Sequence, residues 1–203
     1  MEPQRRVGVR LMGRSVFALE LCFRNLPGSP LRAALHQLVV SHPERAGHQD
    51  RHNLYRQIAD TLCQHLNLAE RGCWDYFDDH EKAKADFKMW CDGMTTEEGV
   101  RAGPSGALDP YRPEPRYLTF TLAILLVNGS PADLAMRRAC AIPDPELWHK
   151  SSFHRVLQGM KFVSFASVES DVIYLIPGDD TWSLTHDDLA QPKFEYLRPL
   201  VNA

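Results

Sequence analysis

Beyond the apolar run VIYLI stand two aspartates and a histidine, Asp179, Asp180 and His186, in PGDDTWSLTHDD. Carboxylates and an imidazole gathered past a strand end could serve a hydrolase as base, acid and water-positioning group. Pro177-Gly178-Asp179-Asp180 also has the composition of a plain turn, and His186-Asp187 open a capped helix, where an acid favours the dipole. His48 and His52 are four apart with Asp50 between them. On a helix they would share a face, as two zinc ligands do, but Gly47 and Asp50 place His48 in the loop before the helix, with no third ligand nearby. WDYFDDHE crowds Asp75, Asp78, Asp79 and Glu81 around His80. Such carboxylates could hold a divalent cation or exchange protons, yet they lack the alternation and bending glycine of a calcium loop and read as an acidic solvent face. Cys140 with His149 or His154 is the one combination suited to a thiolate and its base. No four Cys or His residues fall in ligand spacing, so no transition metal is expected. GVRLMG and LQGM do not make a phosphate-binding glycine loop, and no cofactor is expected.

Arg6, Arg10 and Arg14 recur every four residues. On a helix they form a basic stripe, suited to carboxylates of an acidic protein or to an anionic surface. The competing reading is a solvated face with local ion pairs.

Positioning such groups requires ordered elements. Val9, Met12, Val16, Leu19, Phe23 and Leu26 recur at spacings of three and four, which predicts a first helix ending at Pro27-Gly28. It predicts Val16 and Phe23 buried, with Arg10 and Arg14 exposed. Ser29-Pro30 restarts the chain as an N-cap followed by an N1 proline. Leu31, Leu35, Leu38 and Val39 stripe a second helix, stopped at His42-Pro43. Asp50 is the expected N-cap of a third, with Leu54, Ile58, Leu62 and Leu66 on one face. Trp74, Phe77, Phe87 and Trp90 predict a fourth helix from Cys73. Thr95 to Glu98 reads as the capping box of a fifth. Residues 1–98 thus read as a helical bundle or layer, and 99–116, rich in Gly and Pro, as a linker. In 117–203 two apolar strands, Tyr117 to Val127 and Val168 to Ile176, should be neighbours inside one sheet. Short helices are expected from Ser130, Ser152 and Thr185. The fold class is α+β, and the two regions could pack as one domain.

The 203 residues, 44% hydrophobic and 24% charged, suit a packed globular core. A formal charge of −3 makes nucleic acid a poor partner. That charge is uneven: residues 1–66 carry nine arginines and five acids, whereas 67–100 carry four basic and nine acidic residues. A dipolar surface of this kind steers charged partners. Five cysteines with no CxxC argue against a disulfide framework or a zinc ribbon. The N-terminus lacks the apolar run of a signal peptide, and no segment is long and apolar enough to span a bilayer. A cytoplasmic location is the expectation.

The order SDVIYLIPGDD, SLTHDDLAQ, FEYLRPL resembles the C-terminal end of the uncharacterised domain-of-unknown-function family numbered 1517, found in cyanobacteria, chloroplasts and other bacteria. RYLTFTLAILLV resembles an upstream strand of that family, and SSFHRVLQGM one of its helices. VGVRLMGRS, LVVSHPERAGH and EKAKADFKMWCDGMTTEEG are similar to segments of its N-terminal half. Residues 129–150 read as an insertion, and Tyr174 or Leu175 stands where the family strand has Trp. The resemblance carries over no catalytic residue.

The sequence therefore supports a non-enzymatic protein that docks an acidic partner or anionic surface through Arg6, Arg10 and Arg14 and could self-associate. The alternatives are a hydrolase at Asp179, Asp180 and His186, and a peripheral membrane regulator.

Overall fold

A computed structural model describes residues 13–26, 28–42, 47–95, 106–107, 115–178 and 182–202. Its centre is a five-stranded antiparallel sheet built from β1 (Arg14–Arg24), β2 (Ala69–Phe77), β4 (Tyr117–Val127), β5 (Val168–Ile176) and β7 (Arg198–Pro199), in the order β5-β4-β1-β2-β7. The fold is α+β, as the sequence predicts. A second ladder joins β3 (Gly106–Ala107) to β6 (Trp182–Ser183).

The predicted first helix is a correction. Arg14–Arg24 is an extended strand at the heart of the sheet, paired with β2 on one side and β4 on the other. Val16 and Phe23 are buried, as expected, but they point to opposite faces. A strand covered on both faces is apolar at nearly every position, so apolar residues at spacings of three and four occur in it without any helical periodicity. The predicted fourth helix divides for a related reason. Cys73, Trp74 and Phe77 belong to β2, while Phe87 and Trp90 lie on α3 (His80–Thr95). Asp79 breaks the two apart, its side chain accepting from the Lys82 N–H at 2.9 Å to cap α3. The first half of the chain is therefore not a helical layer: its two strands are hydrogen-bonded into the same sheet as β4. Residues 96–98 and most of 99–116 lie outside the described residues.

The other helices match their sequence signals closely. α1 (Leu31–Val40) begins where the Ser29 hydroxyl accepts from the Leu31 N–H at 3.3 Å. α2 (His48–Gln64) starts two residues before the predicted cap. α4 (Pro131–Ala139) is capped by Ser130, α5 (Lys150–Met160) follows, and Thr185 and Asp188 form a reciprocal capping box on α6 (His186–Leu189). Gly159 lets α5 approach α4 closely, since a Cβ built there would lie 2.3 Å from the Ala139 Cβ.

β4 and β5 are neighbours in one sheet, as predicted. β5 is nevertheless an edge strand. Its edge carries the buried Asp171 side chain, which meets His42 Nε2 at 2.7 Å and Arg51 Nη1 at 2.9 Å and so ties α1 and α2 to the sheet. An inward charge on an edge strand also discourages pairing with a further strand.

The sheet has two unequal faces. Phe17, Leu19, Leu21 and Phe23 of β1, with Leu118, Phe120, Leu122 and Ile124 of β4, pack against α1, α2, α4 and α5 in the main core. The opposite face holds two small clusters. Val16, Leu125 and Phe77 meet Ala83 and Phe87 of α3. Cys22, Tyr117 and Ile176 meet Leu184, Leu189, Phe194 and Leu197 of the C-terminal segment.

Candidate functional site

Along β1 the second face runs Val16, Ala18, Glu20, Cys22, and the two clusters claim only its ends. The middle is left as a cavity of about 560 Å³ between α3 and the C-terminal segment. Its floor is Glu20 with Cys73 and Asp75 of β2 and Ile176 of β5. α3 supplies Asp86, Met89 and Trp90, and the opposite wall is Phe194 and Tyr196. Trp90 and Tyr196 meet edge to face, with ring centroids 6.0 Å apart. Lys82 stands over the Phe77 ring, its Nζ 3.4 Å from the centroid, and Lys193 stands over Phe194 at 5.1 Å. The volume and the apolar walls with a few polar groups are those of a small-molecule site.

Glu20 is the decisive residue. It is 1% exposed, in a strand otherwise apolar from Val16 to Phe23. Cross-strand register sets Thr121 beside it on β4 and Cys73 on β2. The Tyr196 hydroxyl donates to Oε2 at 2.7 Å. Among the described residues Oε1 has no hydrogen-bond partner, and neither have the Thr119 and Thr121 hydroxyls. Burial pushes the Glu20 carboxyl above its ordinary range, against the lowering effect of Tyr196, Thr121 and Thr119 close by. A carboxyl buried in an apolar sheet face with one oxygen left unpartnered is costly to maintain for packing alone. Asp86 Oδ2, on the same cavity, is likewise buried with no partner among the described residues. Asp75 is raised by burial, although it accepts from the Tyr76 N–H. The Cys73 thiol is pushed up to about 12, chiefly by burial, so it is no thiolate nucleophile at neutral pH.

The residues singled out by the sequence fall elsewhere. Arg6, Arg10, Asp179 and Asp180 lie outside the described residues. Arg14 opens β1 and pairs with Glu169, so it is not on a helical turn. His186 is exposed at the first position of α6. His48 is the first residue of α2 rather than part of a preceding loop, and is exposed. His52, one turn on, directs Nδ1 to the Val163 carbonyl at 3.0 Å. Among the described residues no three His, Cys, Asp or Glu side chains are placed to hold a metal ion. Burial lifts the Cys140 thiol to about 12, and His154 contacts Gln158. The WDYFDDHE acids separate: Asp75 faces the cavity, Asp78 pairs with Arg137 at 3.0 Å, and Asp79 caps α3. Among the described residues no helix is long and apolar enough to cross a membrane.

No protein-family model, curated protein or solved structure matches the chain.

Proposed function

We propose that the protein is a non-enzymatic binding protein whose ligand is a small, largely apolar molecule held between α3 and the C-terminal segment. The observation that carries this reading is the buried, unpartnered Oε1 of Glu20 on the floor of a cavity of about 560 Å³. The aromatic walls supply apolar contact area, and the few polar groups fix orientation. The thiol on the floor is held protonated, which favours binding over covalent chemistry.

The test is to fill the cavity. Cys73→Phe places an aromatic ring on the floor. Wild-type protein, isolated under native conditions and screened against a fragment library by ligand-observed NMR, should bind apolar fragments that the variant does not. Binding unchanged in a folded Cys73→Phe variant would place the ligand elsewhere.

The docking of an acidic partner or anionic surface through Arg6 and Arg10 stands as a separate proposal, supported by the excess of nine arginines over five acids in residues 1–66; Arg14, in β1 and paired with Glu169, is no part of it. Reversing Arg6 and Arg10 to Glu and measuring binding to anionic vesicles as salt rises tests it: wild-type binding that weakens with salt and is lost in the variant supports it, and binding unchanged in the variant removes it.

A further inference from the structure

The two unpartnered atoms of residues that line the cavity share one chemical character. Glu20 Oε1 and Asp86 Oδ2 are both carboxyl oxygens, both buried, and both without a donor among the described residues. Asp75 adds a third carboxyl to the same lining. Among the described residues neither oxygen accepts a hydrogen bond of good geometry, although the Thr119 and Thr121 hydroxyls lie close to Glu20. The walls are suited to a positive charge as well. Phe77 and Phe194 already lie beneath the Lys82 and Lys193 ammonium groups, which leaves Trp90 and Tyr196 as the rings that can attract a ligand cation.

Resting on the small-molecule reading above, we infer that the ligand is an organic amine, protonated when bound, with an aromatic or branched apolar body. Its N–H groups supply the donors that Glu20 Oε1 and Asp86 Oδ2 lack, and its body fills the space between Trp90, Phe194 and Tyr196. A charge-assisted bond to a desolvated carboxylate is stronger than one between neutral groups, and removing the carboxylate should weaken binding about ten- to a hundredfold. A neutral alcohol of the same shape gains the apolar contacts without the ionic ones.

The probes are 2-naphthylmethylamine and 2-naphthylmethanol, which share one ring system and differ in the charged group. Isothermal titration should show saturable binding of the amine at least about tenfold tighter than of the alcohol. Glu20→Gln and Asp86→Asn should each weaken the amine by about tenfold or more and change the alcohol by less than about twofold. The amide that Glu20→Gln introduces mimics a neutral acid, so undiminished amine binding by this variant would show that no carboxylate is needed there. The inference is overturned if the alcohol binds as tightly as the amine, or if the amine is indifferent to both substitutions. Asp86 lies on α3 rather than in the sheet, so Asp86→Asn decides the matter even if Glu20→Gln does not fold. Failure of both probes to bind wild-type protein would overturn the small-molecule reading together with this one. Tight binding of the alcohol alone would overturn only the preference for amines.

Discussion

Tyr196 and Glu20, separated by 176 residues in sequence, meet through a 2.7 Å hydrogen bond from the phenol to the carboxyl oxygen. The bond joins the C-terminal segment to the central strand at the floor of the cavity. It also sets the terms on which a carboxyl can remain in an apolar sheet face. Burial holds Glu20 above its ordinary value of 4.5, so the folded protein binds the carboxyl proton more tightly than the unfolded chain does.

The first prediction follows from that sign. The stabilising contribution of the Glu20 proton is complete below about pH 4.5 and is lost as pH rises through the folded-state value. Within that window each pH unit should cost wild type about 1.4 kcal/mol relative to Glu20→Gln, which has no proton to lose. Urea denaturation of both proteins across the range checks this. Parallel stability curves would show that Glu20 titrates normally.

Asp171 should behave in the opposite sense. Burial pushes its carboxyl up, but the hydrogen bond and charge of His42, with Arg51, outweigh burial and hold it below the ordinary value. Its contribution is present above about pH 3.8 and is lost as pH falls through the folded-state value. Asp171→Asn should cost about 1.5–3 kcal/mol at neutral pH, the worth of bonds to charged groups. The loss should shrink on acidification. A neutral-pH melt equal to wild type would mean that α1 and α2 are held to β5 without it.

Gly159→Ala should destabilise the α4–α5 contact by about 1–3 kcal/mol, the usual cost of overpacking. The new methyl would meet the Ala139 Cβ at 2.3 Å. Ala139→Gly in the same chain should recover part of the loss, a coupling that a double-mutant cycle measures directly. Additive effects would show that the helices simply separate.

Phe23→Ala tests the reassignment of the first segment. Phe23 is fully buried in the main core, and its truncation should cost about 3–5 kcal/mol. Hydrogen exchange should show Phe17 to Cys22 among the slowest amides, as befits a central strand paired on both sides.

What the sequence made legible depended on how many faces an element buries. α1, α2 and the strands at Tyr117 and Val168 could be read because a stripe, a cap or a long apolar run marked each one. Ser130 and Thr185 could be read as caps because the mechanism is local: a hydroxyl accepts an N–H three residues on. Arg14–Arg24 could not, because covering on both faces erases the alternation that marks a strand. Trp74 and Phe87 looked like one helix because a strand and a helix both supply apolar residues across a boundary set by a single capping aspartate. The site was harder still. Glu20 is one acid in FALELCF, with no spacing to announce it; its hydrogen-bond partner Tyr196, its cross-strand neighbour Thr121 and its fellow cavity residue Asp86 arrive from three distant elements. Its one signal was its type, an acid in a run that otherwise excludes charge. Asp75 was visible among the WDYFDDHE acids, but its separation from Asp78 and Asp79 required the strand to end at Phe77.

The most direct test of the central claim is an amide and indole NMR map of isotopically labelled wild-type protein titrated with 2-naphthylmethylamine. Saturable shifts are expected at Glu20, Cys73, Trp90 and Tyr196, with the α1, α2 and α5 amides unmoved. Shifts confined to those helices, or none at saturating probe, would contradict that claim.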